Sequence, residues 1–251
     1  MIQLNELVAY CDKVTRRLEI ADFPGANNGL QLQNNGTVTK IGAAVDAGRV
    51  PFEQAIAEGI DFLIVHHGLF WNTPASYTGP LYDKLKLAMD HNLAVYSVHL
   101  PLDAHPEIGN NARLAKVLGL EPEQWFLPHE GTPIALLAKA PPSREELKIR
   151  LTKEFGPAIT AIEFGSPAPA RVAILTGSGR SALSELKSVG TDTLITGELR
   201  QEHFNLAQEE GLNLYLCGHY ATERYGVIAL AELAARTFNL PSTFIPTGCP
   251  L

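Results

Sequence analysis

Two adjacent histidines, His66 and His67, follow the apolar segment 62–65 in the sequence "DFLIVHHGLFW". Four consecutive apolar residues predict a short buried strand, so the two imidazoles lie where that strand reaches the surface. Imidazole nitrogen is a good ligand for zinc, manganese or iron. Alone, the pair has a simpler interpretation, as a surface turn or as core histidines with satisfied hydrogen bonds.

Two further groups place a carboxylate four positions after a histidine. His99 and Asp103 follow the apolar segment "NLAVYSV", and His219 and Glu223 follow "GLNLYLCG". Ligands of open α/β sheets bind beyond the carboxyl ends of the strands, so these groups should converge if two lobes face each other. Five or six such donors are enough for two metals that each keep a position for water. Glu223 has the longer side chain and is the expected bridge between the metals.

Three polar residues near these groups have more than one interpretation. His99 is either a direct ligand or a residue that orients a ligand through its second ring nitrogen. Glu198, in "ITGEL", takes the place of His67 in the second half of the chain. It is either an acid–base or ligand-orienting carboxylate, or an acid at a helix N-terminus. Cys217 is expected to be a small buried residue and not a soft ligand.

The remaining histidines and two glycines have ordinary interpretations. Four histidines lie in polar contexts and are expected to be solvated: His91, His105, His129 and His203. Gly177 and Gly179, in "LTGSGRS", can cradle an anion at a helix start, although a strand-to-helix turn needs such residues anyway.

The elements that must position these residues occur twice. Residues 41–66 read "IGAAVDAGRVPFEQAIAEGIDFLIVH", and residues 172–197 read "VAILTGSGRSALSELKSVGTDTLITG". An offset of 131 residues aligns a Gly-Arg pair, a Gly-x-Asp motif and the second strand. Each copy predicts a βαβ unit with parallel strands. An offset of 120 aligns the two His-x3-acid groups. We expect an internal duplication; the alternative is the faint likeness of any two α/β units.

We therefore predict an α/β fold of two similar lobes with a dinuclear metal site in the cleft between them. Residues 1–126 form the first lobe, with the His-His and Asp ligands. Residues 127–251 contain a small insert at about 132–170 and the second lobe, with the His/Glu ligands. The insert reads as a strand, a helix with a capping box at Ser143 and Glu146, and another strand. "LNELVAYCDKVTRRL" predicts a flanking amphipathic helix.

Composition limits the classes of function. The chain has 251 residues, 45% hydrophobic, which suffices for one large domain or two lobes. No apolar run approaches the ~20 residues of a membrane span, so no membrane partner is expected. The net charge of −7, with scattered Lys and Arg, argues against a nucleic-acid partner. Three dispersed cysteines and a beginning unlike a signal peptide favour the cytoplasm.

Several segments together resemble one known family. "NNGLQLQ", "VHHGLFW", "HLPLDAHPEIGNNARLAKVLGL", "ITGEL" and "GHYATERYGV" occur in this order over nearly the whole chain. They are similar to the GTP cyclohydrolase 1 type 2 homologs, also described as NIF-three-like or dinuclear-metal-centre toroidal hexamer proteins. The lack of a long mid-chain insertion resembles the short bacterial form.

The resemblance implies ligands, cofactors and an assembly. By position, the family's metal ligands fall on five residues: His66, His67, Asp103, His219 and Glu223. This implies two divalent ions per chain, of zinc, manganese or iron, in a toroidal homohexamer whose metal sites face an inner cavity. The family name implies hydrolytic opening of the GTP purine ring. "GANNGLQLQ" lacks the Asp that many members carry before Gly-Leu-Gln, which leaves the roles of Asn27 and Asn28 open.

Three functions are compatible with these residues. The first is a metal-dependent hydrolase acting on a nucleotide or related small molecule, with His99 or Glu198 carrying protons. The second is a non-catalytic hexameric ring that binds metal or a protein partner. The third, a ring that sequesters nucleic acid, is disfavoured by the acidic charge balance.

Overall fold

The computed structural model describes residues 1–72 and 76–251. The strands among them are β1 (Ile2–Gln3), β2 (Gly29–Leu32), β3 (Thr37–Val38), β4 (Ile41–Asp46), β5 (Phe62–His67), β6 (Ala94–Ser97), β7 (Glu121–His129), β8 (Thr132–Lys139), β9 (Thr160–Glu163), β10 (Arg171–Ser178), β11 (Thr193–Glu198), β12 (Asn213–Leu216) and β13 (Ser242–Phe244). The helices are α1 (Leu4–Thr15), α2 (Arg49–Ala57), α3 (Gly79–Asp90), α4 (Leu100–Asp103), α5 (Asn110–Val117), α6 (Arg144–Phe155), α7 (Glu202–Glu210), α8 (His219–Phe238) and a 3-10 helix, Arg180–Glu185. Within the part of the chain described, no helix is long and apolar enough to cross a bilayer.

The chain divides into two compact units. Unit one comprises Met1–Leu102 and Gly226–Gly248, and unit two comprises Asp103–Tyr225 and Cys249–Leu251. Both contain helices and a mixed sheet, which confirms the α/β class. The predicted lobe boundary between residues 126 and 127 stays a prediction. It was inferred from the sequence similarity of the two halves, whereas the two units are defined by compactness.

Unit one is built on a five-stranded sheet with the order β13-β4-β5-β6-β2. The three central strands are parallel, with α2 and α3 between them along the chain. The residues 62–65 of β5 are fully buried, as expected for a strand covered on both faces. β13 adds in parallel to β4, and β2 adds antiparallel to β6.

Unit two is built on a six-stranded sheet with the order β7-β8-β10-β11-β12-β9. Its strands β10, β11 and β12 are parallel, with the 3-10 helix and α7 between them along the chain. The predicted insert is found as β8, α6 and β9. Ser143 caps α6 by accepting a hydrogen bond from the Glu146 N–H at 3.2 Å. The sequence analysis left β7 unassigned; this strand pairs antiparallel with β8.

The second βαβ segment differs from the prediction in its crossover. Arg180–Glu185 forms a 3-10 helix where an α-helix was expected. The Ser188 hydroxyl donates to the carbonyl oxygen of Glu185 at 2.7 Å. Such side chain–backbone bonds compete with helix propagation, which accounts for the short crossover.

The two Gly-x-Asp motifs hold backbone at the amino ends of parallel strands. The Asp61 carboxylate accepts hydrogen bonds from the N–H groups of Thr39 (2.9 Å) and Lys40 (3.1 Å), just before β4. The Asp192 carboxylate accepts one from the N–H of Ser166 at 2.6 Å, in the segment before β10. The motif therefore has a structural role, at the sheet edge opposite the histidines.

We predict that Asp192→Ala lowers the free energy of unfolding by about 1–3 kcal/mol, because the Ser166 N–H and the Thr193 hydroxyl lose their acceptor. Glu53→Ala is the matched control, since it breaks only the exposed Arg49–Glu53 pair and should leave stability near wild type. Urea titrations followed by circular dichroism measure both variants. Wild-type stability in Asp192→Ala would show that the motif does not stabilise the unit.

Candidate metal centre

The parallel strands of unit one bring polar side chains to one edge of its sheet. β4 ends at Asp46, β5 ends at His67, and His99 follows β6 by two residues. Parallel strands place their carboxyl ends at the same edge, and the register of β4 on β5 pairs Asp46 with His67 directly. Topology therefore brings His67 and His99, which the sequence singled out, to the same edge as Asp46, which it did not.

Three imidazoles cluster at this edge. The ligating nitrogens of His66, His67 and His99 lie within 4.8 Å of one another. Ring centroids are 4.9 Å apart for His66 and His67, and 4.8 Å apart for His66 and His99. His66 is fully buried and His99 is 8% exposed, so the histidine pair is not a surface turn.

The Nδ1 atoms of the first two rings are held by oxygen. His66 Nδ1 lies 3.0 Å from the carbonyl oxygen of Val98. His67 Nδ1 lies 2.8 Å from Asp46 Oδ1. These oxygens only accept hydrogen bonds, so Nδ1 carries the proton of the neutral ring and Nε2 carries the lone pair. Metal-binding histidines are oriented in this way by a second residue.

His99 is held by a network that the sequence analysis missed. Its Nδ1 lies 2.8 Å from Asp22 Oδ1, and its backbone N–H donates to Asn28 Oδ1 at 2.8 Å. Asn28 also donates to Asp22 Oδ2 at 2.7 Å. Burial raises the pKa of Asp22, but hydrogen bonds from His99, Asn28 and the Phe23 N–H outweigh it and hold the pKa below its usual range. Asn28, whose role the sequence left open, therefore positions both His99 and Asp22.

The segment after the two histidines is held by the "NNGLQLQ" motif. Gln31 Oε1 accepts a hydrogen bond from the Leu69 N–H at 2.6 Å. A Cβ atom on Gly68 would lie 2.4 Å from the terminal amide of Gln31, so a larger residue there would displace the Gln31 side chain. Trp71 then places its ring edge-on to His99, with centroids 5.0 Å apart.

Unit two presents a second group at the carboxyl ends of its own parallel strands. Glu198 ends β11, and His219 begins α8 shortly after β12. His219 Nδ1 lies 3.1 Å from Glu198 Oε1, and its Nε2 lies 3.1 Å from Glu223 Oε2, one helical turn along α8. Glu223 is buried and Glu198 is exposed. Since α7 begins only at residue 202, Glu198 acts on His219 and not on a helix N-terminus.

These carboxylates control the protonation of His219. The hydrogen bond to Glu223 is the largest cause, and with Glu198 it outweighs desolvation and raises the pKa of His219 to about 9. The ring is therefore cationic at neutral pH when no metal is bound. A metal that binds His219 has to displace this proton.

Gly177 leaves space for the buried Glu223 carboxylate. Gly177, near the end of β10, has φ +65°, and a Cβ atom there would lie 2.1 Å from Glu223 Oε1 and 3.1 Å from His219 Nε2. The Thr222 hydroxyl accepts a hydrogen bond from the Gly177 N–H at 3.0 Å. Gly177 thus accommodates a carboxylate, where the sequence offered it as an anion cradle.

Asp103, the remaining predicted ligand, is buried at the end of α4. Its Oδ1 accepts a hydrogen bond from the Asn110 side chain at 2.7 Å. The neighbouring Asn111 donates to the Ile134 carbonyl and accepts from the Thr176 N–H, each at 2.9 Å. The two asparagines of "GNNARL" therefore hold Asp103 and tie α5 to β8 and β10, roles that the sequence analysis did not assign.

Side chains outside the ligand set gave mixed outcomes. Cys217 is buried as expected, and desolvation raises the pKa of its thiol to about 12, which disfavours the thiolate that binds metals. The expectation that His203 is solvated is wrong, because its ring is buried and its Nδ1 accepts a hydrogen bond from the Arg200 N–H at 3.0 Å. Of the other histidines expected in solvent, His91 is exposed, and His105 and His129 are half-buried.

The donors fit a divalent transition metal. Unit one offers three imidazole nitrogens, and unit two offers an imidazole with carboxylate oxygens. Such nitrogen and oxygen donors suit zinc, manganese and iron. Each Nδ1 contact in unit one leaves Nε2 as the ligating atom, which is what a metal site requires.

Comparison with known proteins identifies the family. A model of the Duf34/NIF3 (NGG1p interacting factor 3) family matches residues 2–249. The chain belongs to the Duf34/NIF3 family. A GTP cyclohydrolase 1 type 2 homolog of Deinococcus radiodurans is 39% identical over 249 residues, which cover 97% of this chain and 94% of that protein. The resemblance inferred from the motifs is therefore confirmed.

Solved structures share the fold of this Duf34/NIF3 chain. Protein ybgI, of unknown function, superposes with a TM-score of 0.92 at 33% identity. TTHA1606 from Thermus thermophilus superposes with a TM-score of 0.88 at 36% identity. Each comparison covers 100% of both chains, so the mixed α/β fold with several sheets is common to them.

We predict that Asp46→Ala weakens metal binding by this Duf34/NIF3 protein about 10- to 100-fold, because the His67 ring loses the acceptor that orients it. Asp46→Asn keeps an acceptor oxygen and should retain more of the affinity. Competition with a zinc-binding dye measures both variants. Wild-type affinity in Asp46→Ala would mean that this contact does not support a ligand.

Gly177→Ala should reduce the bound metal per chain, because its Cβ atom would displace Glu223. Gly190→Ala is the matched control: its φ is also positive, at +74°, but its nearest neighbour is Arg171 Nη1 at 3.6 Å. Both should lose about 1–2 kcal/mol of stability from the left-handed backbone. Only Gly177→Ala should lose metal, measured by elemental analysis after dialysis. Equal metal content would exclude crowding at Glu223.

Proposed function

We propose that this protein is a metal-dependent hydrolase that acts on a nucleotide or related small molecule. The observation that carries the proposal is the cluster of three imidazoles whose Nδ1 atoms are each held by an oxygen. This leaves Nε2 of His66 and His67 to bind a metal and Nε2 of His99 to accept a proton. GTP is the first substrate to test, because a relative 39% identical is named a GTP cyclohydrolase 1 type 2 homolog.

The proposal includes one dinuclear centre with two divalent ions per chain. Its ligands are those given by the family resemblance: His66, His67, Asp103, His219 and Glu223. The proposal also includes an internal duplication. The shared order and direction of β4-β5-β6 and β10-β11-β12 support it, as do His67 at the end of β5 and Glu198 at the end of β11. A toroidal homohexamer belongs to the same proposal and rests on the family resemblance alone.

The chain's own residues supply the proton chemistry. Two divalent ions at such donors would supply Lewis-acid activation of water and substrate. His99 is the proposed general base: Asp22 holds its Nδ1, so Nε2 can accept a proton, and the carboxylate stabilises the resulting imidazolium. Glu198 is exposed and 3.1 Å from His219, and serves as the second acid–base group, which returns a proton to the leaving group.

A non-catalytic ring that binds metal or a protein partner is the second candidate. Burial of His66, Asp103 and Glu223 favours it, since a metal at buried donors contributes to folding stability. This function requires a large fall in melting temperature on metal removal and no turnover of any substrate.

We predict multiple turnovers of GTP by protein reconstituted with manganese, zinc or iron. Turnover is measured as opening of the purine ring and release of formate. Glu223→Ala should abolish turnover with an unchanged circular dichroism spectrum. His99→Gln should retain metal and lower kcat by about 10²- to 10⁴-fold.

Three outcomes separate the candidates. Turnover retained in metal-loaded Glu223→Ala would refute the proposed site. No turnover with any of the metals, in protein that holds two ions per chain, would remove GTP and favour the non-catalytic function. A melting temperature unchanged by chelation would then count against a structural role of the metal.

A further inference from the structure

We infer that a pocket of unit one binds the purine ring of the substrate beside the predicted metal ligands. The inference deepens the proposed function and rests on it for the identity of the bound molecule as a substrate. The pocket has a volume of about 700 Å³, within the range of small-molecule sites.

One face of α3 forms a wall of this pocket. Tyr82, Leu85, Lys86, Met89 and Asp90 all line it and follow the i, i+3, i+4, i+7, i+8 spacing of a single helical face. Leu85 is buried, but Tyr82 is 51% exposed and Met89 is 60% exposed. The apolar stripe of α3 is therefore only partly used by the core and presents an aromatic ring and a thioether to the pocket.

Two further aromatic rings face the same space. Phe70 and Tyr77 line the pocket and contact each other edge-on, with centroids 6.5 Å apart. With Tyr82 they give the pocket three aromatic rings. Aromatic side chains bind planar heterocycles by stacking, and stacking works with any base because every base has a flat π-face. A purine is a flat ring system of the size and polarity that such walls accept.

Consecutive residues of one segment border the pocket and the histidine cluster. Phe70 lines the pocket, and the next residue, Trp71, contacts the rings of His67 and His99. Gln31 lines the pocket as well, and its Oε1 holds the Leu69 N–H in the same segment. A ring bound here would lie along the backbone that leaves the metal ligands.

A charged pair lines the pocket next to the aromatic rings. Lys86 Nζ and Asp90 Oδ2 lie 2.6 Å apart, and both residues line the pocket. An ammonium can donate to a ring nitrogen or carbonyl oxygen of a base, and a carboxylate can accept from an exocyclic amine. The pair therefore offers one donor and one acceptor next to the aromatic walls.

The test is a fluorescence titration of 2-aminopurine riboside into the manganese-loaded, full-length protein. Stacking quenches this nucleoside, so wild type should quench it saturably. Tyr82→Ala should bind at least about tenfold more weakly, because a stacked ring contributes strongly to affinity. Tyr82→Phe should bind within about twofold of wild type, since it keeps the aromatic face.

Phe204→Ala is the matched control, because it removes an aromatic ring of similar exposure in unit two and should bind like wild type. Absence of quenching in wild type, or equal affinity in Tyr82→Ala, would overturn the inference. A second result would also overturn it: a changed sedimentation coefficient of Tyr82→Ala with unchanged affinity for the nucleoside. The pocket would then be an interface between copies of the chain.

The titration needs no turnover, so the two proposals fail separately. Tyr82-dependent binding without hydrolysis of GTP would refute the proposed reaction and retain the purine pocket. Turnover of GTP that is insensitive to Tyr82→Ala would retain the hydrolase and refute the pocket.

Discussion

The oxygen atoms that accept hydrogen bonds from imidazole Nδ1 determine the chemistry of unit one. Without such acceptors, each ring could rotate and exchange its proton between two nitrogens, and no position would be defined for a ligating lone pair. The acceptors come from three places: the carbonyl after β6, Asp46 at the end of β4, and Asp22 in the segment before β2. The parallel order of the sheet brings these donors and acceptors to one edge.

Unit two orients its candidate ligand by different means. The imidazole of His219 lies between the carboxylates of Glu198 and Glu223, and they charge the ring as well as orient it. The buried Glu223 needs space, which the chain provides by having no side chain at Gly177. Unit one supplies mainly imidazole nitrogens, and unit two supplies mainly carboxylate oxygens. For this reason the proposed site has mixed donors.

Pre-organisation extends from the predicted ligands His66 and His67 to the segment that follows them. Gln31 holds the backbone after the two histidines, and Gly68 permits that close approach. As a result, Phe70 and Trp71 leave the cluster in a defined direction, one toward the pocket and the other against His99. Rigid support of this kind is what a binding site needs to fix the position of a substrate.

Local pattern by itself determined the parallel strands of both βαβ segments and the His-x3-acid spacing, because apolar runs and i, i+4 pairs are properties of near neighbours in the chain. The family followed from the resemblance of its sequence motifs. Tertiary structure alone decided which residues hold the histidines of the candidate site. Asp22 and His99 are 77 residues apart, and Asn28 and His99 are 71 apart. Such contacts depend on which loops close and how the sheet packs, and no local periodicity records that choice. Burial of His203 escaped the sequence for the same reason, because polar neighbours in the chain do not report what packs above a ring.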